Sequence, residues 1–172
     1  MLIIQSNSAR ETKMLGKKLG KSLLPGDVIC LQGELGSGKT CLAQGIAEGL
    51  RIKDNLVSPT FVIVGKYEGK FILYHIDLYR LNNFNEIEDL GLEEFFYEKV
   101  IIIIEWAEKI KEILSKNFLE VKIRFAQHLH SGSDSKNKRI LKFIPRGKRF
   151  KIILGELKKD AYFRNRYIPE PG

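Results

Sequence analysis

Eight consecutive residues, Gly33-Glu34-Leu35-Gly36-Ser37-Gly38-Lys39-Thr40, have the composition and spacing of a loop built to hold a phosphate chain. The pattern G-x-x-x-x-G-K-[ST] works because glycines let the backbone curl until its N–H groups point inward, and the helix that follows adds its partial positive charge. In such a loop Lys39 reaches the β- and γ-phosphates as a point charge, and the Thr40 hydroxyl is placed to ligate Mg²⁺. The chemistry this predicts is binding of a nucleoside triphosphate and transfer of its terminal phosphoryl group.

A phosphate loop needs a carboxylate at the end of a neighbouring strand to hold the metal. Glu105 follows the aliphatic run Val100 to Ile104, and Asp77 follows Phe71 to Ile76. Each is expected at the C-terminal end of a strand, where the ligand crevices of α/β sheets lie. Thr40, Glu105 and Asp77 are therefore the candidate metal ligands. Two roles stay open for Asp77, holding a metal-bound water or orienting the attacking one. In Ser58-Pro59-Thr60-Phe61, Pro59 stiffens a connection that sets Thr60 at a strand's mouth, where a switch threonine senses phosphate and metal. An ordinary turn is the alternative.

The elements that must position these groups follow from periodicity. Ser8 to Leu23 puts Leu15, Leu19 and Leu23 on one face of a helix. Asp27 to Gln32 reads as a buried strand, and Lys39 to Leu50 as the helix after the loop. Phe61 to Tyr67 and Phe71 to Ile76 flank Glu68-Gly69-Lys70 as an antiparallel hairpin. Glu86 to Glu98 has helical period, Val100 to Ile104 suits a strand buried on both faces, and Ala107 to Leu114 is amphipathic. Phe118 to Phe125 alternates as a half-exposed strand, with Arg139 to Ile144 as its partner across the polar loop 131–138. The expected fold is α/β: a phosphate-loop NTPase with a mixed, mostly parallel central sheet flanked by helices, plus an antiparallel hairpin and antiparallel C-terminal strands.

Net charge is +8 over 172 residues, with 29 Lys and Arg against 21 Asp and Glu. From Lys136 onward there are 12 basic residues against 3 acidic ones, so the excess sits at the C-terminal end. Residues 1–145 are expected to form the phosphate-loop domain and 146–172 a basic extension that is partly ordered. Phe150 to Leu154 is able to dock on the domain, whereas residues 158–172 look loosely ordered. Phe150, Tyr162, Phe163 and Tyr167 interleave with the basic residues, as an RNA-stacking surface would need; packing back onto the domain is the alternative. Two cysteines, Cys30 and Cys41, cannot build a disulfide framework, and no aliphatic run approaches the roughly 20 residues of a membrane span. A cytoplasmic setting is expected.

Taken together, Gly33 to Thr40, Ser58-Pro-Thr-Phe61, His75-Ile-Asp-Leu-Tyr-Arg80 and Glu105-Trp106 resemble the TsaE family, formerly YjeE, over about Glu11 to Leu141. The resemblance implies a small Mg²⁺-dependent ATPase that serves formation of threonylcarbamoyladenosine in tRNA. It further implies partnership with the TsaD and TsaB proteins, which carry out the transfer and which this component resets between turnovers. Carried over by position, Gly33, Glu34, Leu35, Gly36, Ser37, Gly38, Lys39, Thr40 and Cys41 would surround the phosphates, and Trp106 would sit beside the nucleotide. Thr12 would approach the base. Lys39, Thr60, Asp77 and Glu105 would carry the hydrolysis. Cys41 stands where a second Thr is common in the family, and Ala107 where Pro is frequent.

Several residues carry plainer readings beside these. Arg80 is either an arginine finger or a surface partner of the acidic segment at Glu86 to Glu94. His75 needs no catalytic role inside a strand, and His128 with His130 makes only two ligands, too few for a metal. Cys41 has slight grounds for reactivity from the helix dipole. A small-molecule kinase and a nucleotide-gated binding module are the competing functional classes.

Overall fold

A computed structural model describes residues 1–114, 116–126 and 137–169. Seven strands form one sheet in the order β1-β7-β6-β2-β5-β4-β3. Their ranges are β1 Leu2–Ser6, β2 Val28–Gln32, β3 Val64–Glu68, β4 Ile72–Asp77, β5 Ile101–Glu105, β6 Phe118–Phe125 and β7 Arg139–Arg146. Strands β6, β2, β5 and β4 run parallel to one another, and the edges are antiparallel, β3 on β4 and β1-β7 on β6. β2 and β5 are buried throughout, in keeping with their unbroken apolar sequences.

On one face, α1 (Ala9–Gly20) and α2 (Lys39–Gly49) pack over the sheet with α5 (Lys148–Lys159), in one cluster that holds Leu15, Leu42, Ile46, Ile103, Phe143 and Phe150. Ser8 caps α1 by accepting the Glu11 N–H, as its position before the apolar period predicts. α1 and α2 touch backbone to backbone through glycines. A Cβ on Gly45 would lie 2.0 Å from the Lys13 carbonyl oxygen, and one on Gly16 would lie 2.3 Å from that of Leu42. The opposite face carries only short elements, α3 (Phe84–Glu88), α4 (Leu92–Tyr97) and a 3-10 turn at Ala107–Ile110.

Four expectations are corrected. Glu86 to Glu98 is not one helix: Gly91, at φ +60°, ends α3 and starts α4. The first hairpin strand begins at Val64, because the Ile63 N–H turns back to the Pro59 carbonyl and Ile63 adopts φ +66°. Leu2–Ser6 is an unforeseen edge strand. Residues 158–169 are not loose: Lys158 and Lys159 complete α5, α6 (Ala161–Arg164) follows, and the chain returns along β1, where the Ile168 N–H donates to the Ile3 carbonyl at 2.9 Å.

This packing settles the fate of the tail aromatics. Phe150 and Phe163 are buried in the main core and cannot stack on RNA, while Tyr162 is half-buried against Arg166 and Lys18. Basic residues of the segment hold acids of the body: Arg149 binds Asp27, Arg166 binds Glu11, and Asp160 in turn binds Lys18. No helix among the described residues is long and apolar enough to cross a membrane.

Candidate nucleotide site

The loop after β2 curls because its glycines occupy conformations closed to other residues. Gly33 has φ +144°, and a Cβ there would lie 2.2 Å from the Ile123 carbonyl oxygen; Gly38, at φ +108°, starts α2. Lys39 folds back inside, its Nζ donating to the carbonyls of Gly33 at 2.7 Å and Glu34 at 3.0 Å. The same ammonium sits 3.8 Å over the centre of the Trp106 ring. Burial lowers its pKa, an effect opposed by the nearby carboxylates Glu105, Glu108 and Asp77. A lysine so short of water gains from meeting an anion.

Asp77 and Glu105 stand in register at the C-terminal ends of adjacent parallel strands. Glu105 Oε2 accepts from the Thr40 hydroxyl at 3.1 Å, and its Oε1 lies 2.9 Å from His75 Nε2. Asp77 Oδ2 accepts from both Ser58 Oγ and Thr60 Oγ1 at 2.6 Å, and Oδ1 accepts the Tyr79 N–H at 3.0 Å. These groups face one cavity of about 290 Å³, lined by Leu35, Gly36, Gly38, Lys39 and Thr40 on one side and by Ser58, Thr60, Asp77, Tyr79, Glu105 and Trp106 on the other.

Several sequence-derived site residues make contacts of their own outside the cavity lining. Cys41 turns away, its thiol donating to the Ala9 carbonyl at 3.2 Å, and burial raises its pKa, which removes the grounds for a reactive thiolate. The Thr12 hydroxyl pairs with Ser6 Oγ at 2.8 Å, and its methyl would lie 4.0 Å from a Cβ placed on Gly38 of the loop. Ser37 is buried beneath the loop, its carbonyl accepting from Arg139. Arg80 lies 5.3 Å over the exposed Phe61 ring. His128 and His130 fall outside the described residues.

Three supporting residues escaped the sequence reading. His75 binds Glu105. Arg139, reaching from β7, donates to the Ser37 carbonyl at 3.1 Å while stacking on Phe125. Lys109 donates to three carbonyls, those of Leu78, Tyr79 and Leu81, pinning the segment that follows Asp77. Only His75 carried a signal, a polar residue inside an apolar strand two positions before a candidate ligand. The other two depend on long-range contacts.

Comparison with known proteins agrees with this geometry. The family model described as threonylcarbamoyl adenosine biosynthesis protein TsaE matches residues 6–134. The chain belongs to the TsaE family. Similar TsaE relatives include that of Bacillus subtilis, 39% identical over 156 residues, which span 90% of this chain and 92% of the relative. The TsaE of Treponema pallidum is 38% identical over 119 residues, spanning 69% of this chain and 88% of that one. The crystal structure of Bacillus subtilis YdiB superposes with a TM-score of 0.75 at 33% identity, over 92% of this chain and 94% of that one. The TsaE match thus covers the loop, both carboxylates and strands β2 to β6, and the fold is the expected phosphate-loop α/β class.

Proposed function

We propose that this chain is an ATPase that binds and hydrolyses Mg-ATP in support of TsaD and TsaB during formation of threonylcarbamoyladenosine in tRNA. One observation carries the reading: the glycine loop, Lys39, Thr40, Asp77 and Glu105 converge on a single cavity at the C-terminal edge of the parallel strands. The relatives' names supply the pathway.

The oxygen donors fit Mg²⁺. Two carboxylates and the hydroxyl residues Thr40, Ser58 and Thr60 line the cavity, and no cluster of three or more His, Cys, Asp or Glu side chains forms a protein cage among the described residues. That is the donor set of a hard cation sharing its coordination with phosphate and water. Thr40 and Glu105 would hold it, with Asp77 close by. When bound, Mg²⁺ neutralises charge on the phosphate oxygens.

The chain's own residues do the rest. Lys39 exchanges the Gly33 and Glu34 carbonyls for phosphate oxygens, and the loop N–H groups with the start of α2 stabilise the anion. Asp77 anchors Ser58 and Thr60 at the mouth of the cavity, so the segment that senses the phosphate is tied to a carboxylate beside the metal site. Trp106 and Tyr79, with ring centres 5.1 Å apart, wall the opening.

The test is reconstitution of tRNA modification with TsaD and TsaB, following Mg²⁺-dependent ATP hydrolysis and modified tRNA together. Lys39→Ala should lower both by about a hundredfold or more. Undiminished turnover by that variant, or no stimulation by the intact protein, overturns the reading.

A further inference from the structure

Position 75 in β4 lies among aliphatic side chains. Leu73 on the same face is fully buried, and the register partner of residue 75 on β5 is Ile103, also fully buried. An aliphatic residue would fill this place without burying a polar group, yet a fully buried imidazole stands there. Its one polar contact is with Glu105, at 2.9 Å. A carboxylate only accepts, so Nε2 carries a hydrogen directed at Glu105. Nδ1 is buried and has no partner among the described residues. Nothing polar other than Glu105 therefore accounts for this side chain.

The contact divides the labour of the carboxylate. His75 holds Oε1 from within the core, while Oε2 turns to the Thr40 hydroxyl at the cavity wall. Glu105 is itself 2% exposed, so without His75 its inner oxygen would be buried and unpaired, and the side chain would be free to rotate. Partners behind a metal ligand fix its orientation, and their loss typically costs 10- to 100-fold in metal affinity.

We propose that His75 is a positioning residue: it aims Glu105 so that one carboxylate oxygen is presented to Mg²⁺ in the nucleotide cavity. The inference rests on the Mg-ATP reading above. It concerns metal affinity, and it leaves the loop's own grip on phosphate untouched.

The experiment measures binding of the fluorescent analogue mant-ATP to the full chain across a Mg²⁺ titration and again in EDTA. Thermal unfolding confirms that each variant is folded. His75→Leu should need about 10- to 100-fold more Mg²⁺ for half-maximal binding, with affinity in EDTA unchanged. His75→Gln, whose amide nitrogen reaches the place of Nε2, should return close to wild type. His75→Asn, polar but too short to reach Glu105, should behave as the leucine variant, so the test does not depend on leucine being tolerated. A Mg²⁺ midpoint unmoved in both His75→Leu and His75→Asn overturns the proposal. So does an equal loss of binding in EDTA, which marks a purely structural role, or failure of His75→Gln to restore the midpoint. Wild-type binding that ignores Mg²⁺ altogether would instead overturn the underlying Mg-ATP reading.

Discussion

Asp77 and Glu105 are side by side in register, yet they serve different partners. Glu105 is held between Thr40 of the phosphate loop and His75 of the core, whereas Asp77 holds Ser58 and Thr60 of the connection before the hairpin. One carboxylate is bound to the phosphate loop and the core, and the other to the connection that leads into the hairpin.

Removing the hydroxyls on Asp77 should therefore slow turnover and spare binding. Ser58→Ala and Thr60→Val are each expected to lower kcat about tenfold, near 1.4 kcal/mol, with nucleotide affinity little changed. Both donors share one oxygen and touch each other at 2.7 Å, so the double variant should depart from additivity. Steady-state hydrolysis in the presence of TsaD and TsaB, alongside equilibrium nucleotide binding, checks both statements.

The C-terminal helices should prove structural. Phe163 is fully buried in the main core, so Phe163→Ala should cost about 3–5 kcal/mol in urea unfolding. A solvated tail would give a value near zero.

Docking of these helices should weaken in acid. Hydrogen bonding to Arg166 holds the Glu11 carboxyl below its ordinary value of 4.5, and bonding to Lys18 holds Asp160 below 3.8. A depressed carboxylate pKa contributes stability above the unfolded value, and that contribution is lost as pH falls through the folded one. Hydrogen exchange at the Ile168 amide should consequently show less protection once pH drops below about 4.5, relative to core strand amides. Glu11→Gln should remove much of that difference.

What the sequence made legible was the chemistry in contiguous motifs. The loop, its strand and its helix appear where the glycines and apolar runs put them, and Glu105 ends β5 as that run requires. The contacts that Thr12 makes with Ser6 and Cys41 with Ala9 were not legible, because the motif does not say which side of α1 or α2 a side chain takes. β1 was missed because Leu2–Ser6 is too short to show a period, and it becomes a strand only by pairing with β7, more than 130 residues away. Residues from Lys158 onward read as loose because charge dominates their composition, yet α5 runs to Lys159 and Phe163 of α6 is buried in the main core. Arg139 and Lys109 act across distances that no local pattern encodes.

The glycine contact between α1 and α2 has a mechanical meaning. Side chains between packed helices act as a compliant layer that absorbs small shifts by changing rotamer. Here Gly16 and Gly45 remove that layer, so a displacement of α2 at Lys39 and Thr40 would have to carry α1 with it. Glu11 and Lys18 on α1 are the anchors for Arg166 and Asp160. The phosphate loop and the C-terminal helices, at opposite ends of the sequence, are thereby geared together through one stiff pair of helices.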